Sequence, residues 1–222
     1  MVAIIFGAAG GIGAAFVEAL GPDTIGFSRH SAPALDLEDE TSIAAAAAWF
    51  AAQNLVADLM LDATGFLHGN GFRPEKSWAG IDREQMLRNF AINAVGPALL
   101  MKHFLPLLPR NQRGVFVTLS AKVGSIGDNA SGGWYGYRAA KAALNQITHT
   151  AALELRRHRP LAICVAMHPG TVETKLSAPF AKTGLTVRSP ALAVAQMLPV
   201  ISGLNVTDTG GFFSYDGSLL PW

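Results

Sequence analysis

Residues 2–20 read V-A-I-I-F-G-A-A-G-G-I-G-A-A-F-V-E-A-L. Val2–Phe6 is a short β-branched and aromatic run of strand type. It breaks into Gly7-Ala-Ala-Gly10-Gly11-Ile12-Gly13, and Ala14–Leu20 then carries a helical pattern that stops at Gly21-Pro22. A strand, a glycine turn and a helix in that order make the phosphate-binding end of a βαβ unit. Glycine permits the tight turn and lets the backbone approach an anion, while the helix N-terminus adds N–H donors and a positive dipole. Gly7, Gly10, Gly11, Ile12 and Gly13 are the predicted pyrophosphate-binding residues. The spacing G-x-x-x-G-x-G departs from the commoner G-x-G-x-x-G, so the flanking strand and helix carry the reading.

The same alternation continues outward. Thr24–Ser28, Val56–Asp62, Gly114–Ser120, Leu161–Met167 and Gly211–Tyr215 are further strand candidates. Between them lie helical stretches at Ser42–Gln53, Asp82–Leu108, Trp134 to about Arg157, and Ser189–Ile201. Pro97 should kink the second of these or open a turn in it. Strands that are continuous apolar runs fit a sheet covered on both faces. The prediction is one α/β domain over residues 1–222, a Rossmann-type doubly wound parallel sheet flanked by helices, with no linker or internal repeat.

Composition narrows the classes. Half of the 222 residues are hydrophobic and 15% are charged, which fits a chain with a substantial core. A net charge of +1 offers no electrostatic case for nucleic acid or an anionic membrane surface. The basic run Arg156–Arg157–His158–Arg159 falls where a helix should end, complementing its dipole. Cys164 is the only cysteine and lies in an apolar strand, so it is expected to be a buried, inert thiol. The six histidines show no ligand spacing, and no metal site is expected. No charged n-region precedes the first strand, and no apolar stretch is expected to reach the ~18 residues of a membrane span, which predicts a cytoplasmic location.

The chemistry is expected from W-Y-G-Y-R-A-A-K-A-A-L, residues 134–144. Tyr137 and Lys141 are four apart, which on a helix puts both on one face, one turn apart. A nearby ammonium favours the phenolate, so this pairing can turn an inert phenol into a general acid–base group. At the end of the second strand stands Ser28-Arg29-His30 rather than the acidic residue that binds a ribose 2′-hydroxyl. Arg29 can pair bidentately with a phosphate and Ser28 can donate to it, which points to NADP(H) over NAD(H).

Together the glycines, Tyr137 and Lys141 resemble the short-chain dehydrogenase/reductase family over the whole chain. Phe6 stands where that family has a threonine before its glycines. The resemblance assigns Asp36 and Leu37 to the adenine, and loosely matches Asp62-Ala63-Thr64-Gly65 to the family's N-N-A-G. It gives Asn93 the place of the asparagine in the proton relay, holding a water that links the lysine to solvent. Lys141 would hold the nicotinamide ribose hydroxyls, while Pro169, Gly170, Val172 and Thr174 border the nicotinamide and phosphates. Tyr215-Asp216-Gly217 is similar to the closing strand, and His168 is taken as a strand-end residue near the cofactor. Pro74-Glu75-Lys76-Ser77, Gly124-Ser125-Ile126 with Gly132-Gly133-Trp134-Tyr135, and His168-Pro169-Gly170-Thr171 resemble the branch related to the C-factor cell–cell signalling protein.

One position departs from the pattern. The family's catalytic serine is matched by Ala121, leaving Ser120, Ser125 or no serine for that role. The resemblance implies an NADPH-dependent reductase of a small carbonyl compound, with Tyr137, Lys141, Asn93 and Ser120 as catalytic candidates. Phe66, Leu67, Phe72, Trp134 and Leu176–Leu185 would line an apolar or aromatic pocket. Two alternatives stay open: a nucleotide-binding regulatory or signalling protein with little turnover, and an enzyme similar to dihydropteridine reductase, a relative that also lacks the serine. A dimer or tetramer is implied, with alanines 139, 140, 142 and 143 permitting close helix packing.

Overall fold

Six strands pair in parallel throughout a computed structural model in which residues 2–69, 71–180 and 186–222 are described. They are β1 (Val2–Phe6), β2 (Thr24–Phe27), β3 (Ala57–Asp62), β4 (Gly114–Leu119), β5 (Ala162–His168) and β6 (Phe212–Ser214). Their order across the sheet is β2-β1-β3-β4-β5-β6. Each lies within a residue or so of its expected bounds, because an apolar run between glycine or proline punctuation is a strong local signal. Every residue of β4 is buried, as a strand covered on both faces requires.

Alternating side chains feed two apolar layers. Ile4, Phe6, Met60, Phe116 and Cys164 face α2 (Glu40–Ala52), α4 (Gly96–Phe104) and α5 (Tyr135–His158). Ile5, Leu61, Val117, Val165 and Met167 face α1 (Gly11–Leu20) and α6 (Pro190–Gly203). Phe6 meets Phe104 edge-on, with ring centroids 4.6 Å apart, so the aromatic residue that replaces the expected threonine is absorbed into the first layer. Cys164 is wholly buried there, and burial pushes its thiol up to about 12. Arg159 does more than complement a helix end: it is buried and donates to the carbonyls of Leu108 and Pro106.

In the long helical run the second alternative for Pro97 holds, while the expected lack of an apolar stretch of membrane-spanning length needs correction. α3 (Arg83–Phe90) passes into a π-helical turn, Ala91–Val95, and then into α4, with Pro97 in its first turn. Pro97 has no N–H to offer the carbonyl of Asn93 four residues back. Upstream of it, Gly96 N–H bonds to Ala91 O, five residues back, so the irregularity falls before the proline. The run Arg83–Leu107 is also 25 residues long with a window of mean hydropathy 1.3, enough by length and composition to cross a membrane. Its Ala94, Leu100, Met101 and Phe104 are buried in the protein core.

Candidate active site

Strand order reverses at β1, which has β2 on one side and β3 on the other, so a crevice opens beyond their carboxyl ends. Gly7 leaves β1 with φ +78°, and a Cβ there would sit 3.1 Å from Thr64 Cγ2 and 3.2 Å from the Ala63 backbone. A Cβ on Gly13 would lie 2.2 Å from the Gly7 carbonyl oxygen, and one on Gly11 would lie 2.9 Å from Thr174 Cγ2. The turn therefore closes only with bare backbone at these positions. Gly10 precedes α1 and supplies no side-chain cap, leaving the first-turn N–H groups for another acceptor. Ile12 packs toward the second apolar layer. This cradle fits the pyrophosphate of a dinucleotide.

Around it lie the other predicted cofactor residues. Arg29 is exposed at the end of β2, and Ser28 Oγ accepts from the His30 N–H at 3.1 Å. Asp36 is fixed through its N–H to Ser42 Oγ at 2.9 Å. Leu37 packs so closely on Gly96 that a Cβ there would come within 2.7 Å of it. Ala63, Thr64 and Gly65 leave β3, and Thr64 donates through both Oγ1 (2.5 Å) and N–H (3.0 Å) to Asp62. At the end of β5, Pro169 is followed by Gly170 at φ +78°, where a Cβ would meet Arg188 Nη1 at 2.7 Å. Val172 is buried and bridges to Arg188 in a short parallel pairing.

Tyr137, Lys141 and Asn145 recur at helical spacing along one face of α5, and all three are buried. Lys141 Nζ donates to Leu119 O at 2.8 Å and lies 6.0 Å from the centre of the Tyr137 ring. Gly65 joins this pair to Asn93: a Cβ on Gly65 would sit 4.0 Å from Lys141 Nζ and 3.5 Å from Asn93 Oδ1. Asn93, in the π-helical turn, is wholly buried. Its carboxamide accepts from Phe66 N–H at 2.9 Å and donates to Phe66 O at 2.7 Å. The three residues given to the relay thus converge from α5 and the π turn against the loop after β3.

Electrostatics run against one expectation. Burial pushes the Tyr137 phenol above its ordinary value, and the lysine one turn away does not reverse this. Lys141 is itself desolvated, which lowers its ammonium to about 8, with nearby Asp62 opposing the shift. Asp62 is raised by burial, opposed by hydrogen bonds from Thr64 and Thr118 and by the charge of Lys141. At neutral pH the site presents a protonated phenol beside an ammonium. Lys122 and Arg188 add to burial at His168, lowering it to about 4 and leaving it neutral.

Neither serine candidate has a free hydroxyl. Ser120 Oγ donates to Asn145 Oδ1 at 2.6 Å, two turns along α5 from Tyr137. Ser125 Oγ donates weakly to Trp222 O at 3.4 Å and accepts from Asp128 N–H at 3.1 Å. Ala121 is half-buried between them.

Of the predicted pocket residues, Trp134 meets the Tyr137 ring edge-on at 6.1 Å, and Phe180 meets Trp134 at 5.4 Å. His68 stands 5.3 Å from Phe180 and contacts Lys175 O through Nε2, adding a residue that sequence reasoning left out. Phe66 lies under the Arg88 guanidinium, and Leu67 is a core residue at 4% exposure. Phe72 pairs back to Gly69. Residues 181–185 of the expected pocket segment lie outside the described residues. Glu75 and Arg138, which flank the start of α5, were also missed. The paired glycines before Trp134 were the only local hint of an unusual backbone there.

Comparison with known proteins follows the same lines. The C-signal of Myxococcus xanthus is 37% identical over 142 residues, covering 64% of this chain and 81% of that protein. The carbonyl reductase Sniffer of D. melanogaster superposes with a TM-score of 0.84 at 24% identity, covering 100% of this chain and 99% of that one. An NADPH-bound carbonyl reductase from chicken fatty liver gives a TM-score of 0.84 at 25% identity, covering 100% and 98%. A family model for short chain dehydrogenases matches residues 1–184, which take in the glycine cradle, Asn93, Tyr137 and Lys141. Sequence, sheet order and site agree, and the chain belongs to the short-chain dehydrogenase family.

Proposed function

We propose that this chain reduces the carbonyl group of a small apolar or aromatic compound at the expense of NADPH. The observation that carries the reading is the convergence of buried Tyr137 and Lys141 with Asn93 around Gly65, beside the glycine cradle. The cofactor, when bound, supplies hydride for the carbonyl carbon. Tyr137 hydrogen-bonds the carbonyl oxygen and gives it a proton as negative charge develops there, so the product is the alcohol. Its raised pKa keeps the phenol protonated at pH 7, the form a general acid needs. Lys141 places an ammonium where it opposes charge left on the phenolate, and the donors left after its bond to Leu119 O would serve the ribose hydroxyls. Asn93 locks the loop after β3 through Phe66, and the relay water of this reading would sit beside it.

On the cofactor side, Gly7, Gly10, Gly11, Ile12 and Gly13 take the pyrophosphate, and Asp36 with Leu37 borders the adenine. Ala63, Thr64 and Gly65 line the crevice floor, while Pro169, Gly170, Val172 and Thr174 hold the nicotinamide end. Arg29 and Ser28 take the 2′-phosphate, a choice supported by an exposed guanidinium and the lack of a carboxylate in Ser28-Arg29-His30. Trp134 and Phe180 give the substrate its aromatic wall. Self-association through the outer faces of α4 and α5, where a groove of about 270 Å³ runs between Met101 and Ile147, belongs to the same reading, and sedimentation tests it.

A second reading has its own support: Ala121, with both neighbouring serine hydroxyls already engaged, and likeness to the C-signal favour a nucleotide-binding regulator with little turnover. The missing serine equally suits a quinonoid pterin, whose reduction asks less of an oxygen-binding donor. One experiment separates them. The purified chain is given NADPH or NADH with aldehydes, ketones, quinones and a quinonoid pterin, alongside Tyr137→Phe. Turnover with NADPH that vanishes in the variant supports the reductase, and the active compound names its class. Tight NADPH binding with no turnover supports the regulator. Equal turnover in Tyr137→Phe rules out the proposed acid.

A further inference from the structure

α5 begins in an unusual way. Gly132, Gly133 and Trp134 are three consecutive residues in the left-handed region, with φ of 62°, 66° and 55°. Two glycines adopt this readily, but a tryptophan does so at a cost and must be held. Trp134 is also the residue before the helix and offers no side-chain cap. The tyrosine on which the proposed chemistry rests is the third residue of that helix. Something outside the helix has to fix its first turn.

Glu75 does so from a distant loop, and Arg138, itself the fourth residue of the helix, reaches back to brace the other side. Glu75, in the loop between β3 and α3, is only 4% exposed. Both of its carboxylate oxygens lie 3.3 Å from the Gly136 N–H, and its backbone carbonyl accepts from the Trp134 N–H at 2.5 Å. A carboxylate at a helix N-terminus satisfies a free donor and complements the dipole. Arg138 closes the other side, donating to Gly133 O at 2.9 Å, Gly132 O at 3.1 Å and Val123 O at 3.1 Å. The fit is close: a Cβ on Gly136 would lie 3.0 Å from Glu75 Oε1 and 3.1 Å from Asn89 Nδ2. Asn89 in turn accepts from Asn93 Nδ2 at 3.3 Å. Glu75 therefore stands where the start of the Tyr137 helix meets the polar chain leading to Asn93.

Resting on the reductase reading above, we infer that Glu75 is a positioning residue for Tyr137, capping α5 from a distant loop and holding Trp134 in its left-handed conformation against the tyrosine ring. The carboxylate need not touch substrate or cofactor. It sets the height and direction of the first helical turn, and with them where the phenol points. Gln keeps an acceptor of the same length and Ala removes it, so the two variants separate the cap from the side chain's bulk and charge.

The test uses the full chain as wild type, Glu75→Ala and Glu75→Gln. It measures NADPH affinity by fluorescence, kcat and KM with 4-nitrobenzaldehyde as the carbonyl, and amide exchange over residues 134–138. Glu75→Ala is expected to lower kcat about 10- to 100-fold through misplacement of the acid, with NADPH affinity within about twofold of wild type. Exchange at the Gly136 amide, which alone loses a side-chain acceptor, should quicken about tenfold. Glu75→Gln should recover most of kcat. Wild-type kcat and exchange in Glu75→Ala overturn the inference, and so does a fall in NADPH affinity matching the fall in kcat, which marks general damage. A wild-type chain that neither binds NADPH nor turns over overturns the reductase reading instead, and unchanged exchange in Glu75→Ala then still removes the cap.

Discussion

Lys141 Nζ donates to the carbonyl of Leu119, 2.8 Å away at the last residue of β4, and so ties α5 to the strand end where the family serine would follow. The bond fixes the ammonium deep in the site, where desolvation outweighs the opposing charge of Asp62 and brings its pKa to about 8.

A stability signature follows from that shift. The folded value lies below the ordinary 10.5, so across the window from about 8 to 10.5 the unfolded chain binds more protons at this residue than the folded one. The contribution of Lys141 should therefore rise with pH through this window, by roughly 2–3 kcal/mol, while Cys164 and Tyr137, raised by burial, oppose it in both chains, so that the stability difference between wild type and Lys141→Met changes by that amount. Urea unfolding of both chains at pH 7.5 and 10.5 checks it. Parallel slopes in the two would show that Lys141 is not desolvated.

Replacing Tyr137 by Phe keeps the ring against Trp134 and removes only the hydroxyl. Turnover is expected to fall by about 10²- to 10⁴-fold, with NADPH affinity retained. Steady-state kinetics and a binding titration on the same preparation measure both.

The serine question has a direct answer in two substitutions. Ser120→Ala should leave kcat within about threefold of wild type but cost about 1 kcal/mol, because buried Asn145 loses its donor. Ala121→Ser should raise kcat by about tenfold by restoring a hydroxyl at the family's position. A collapse of kcat in Ser120→Ala would return the role to Ser120.

Two glycines with opposite surroundings test the cradle. Gly13→Ala drives a methyl to 2.2 Å from Gly7 O, and should destabilise the chain by about 2 kcal/mol or more and abolish nucleotide binding. Gly203, the last residue of α6, has nothing within 4 Å of its would-be Cβ. Gly203→Ala should stabilise by about 0.5 kcal/mol without affecting binding. Thermal melts with and without NADPH measure both.

Arg29→Ala is expected to raise the KM for NADPH by about tenfold while leaving that for NADH nearly unchanged. Equal effects on both cofactors would separate Arg29 from the 2′-phosphate.

Local signals account for what the sequence revealed. The glycine turn after β1, the apolar strands and the Tyr137–Lys141 spacing each lie within a few residues of chain, and the structure places them as expected. What escaped depends on partners far away. Ser120 finds Asn145, 25 residues on, and Glu75 finds Gly136, 61 residues on. The left-handed Trp134 breaks its own preference because Glu75 and Arg138 hold its neighbours. The Tyr137 pKa lies opposite to expectation because the lysine pairing is local in sequence, whereas the burial that raises the phenol arises only in the finished fold.

The π turn at Ala91–Val95 has a consequence for any change in chain length there. Each helical residue advances the side chains by about 100°, so one residue added or removed rotates everything downstream by more than a quarter turn. Asn93 and the buried pair Leu100 and Phe104 share one continuous run but belong to different angular settings of it. A single-residue deletion within the turn would leave the run nearly as long and as apolar as before. It would nonetheless set the amide of Asn93 and the core stripe of α4 out of phase, so that only one of them could be right at a time.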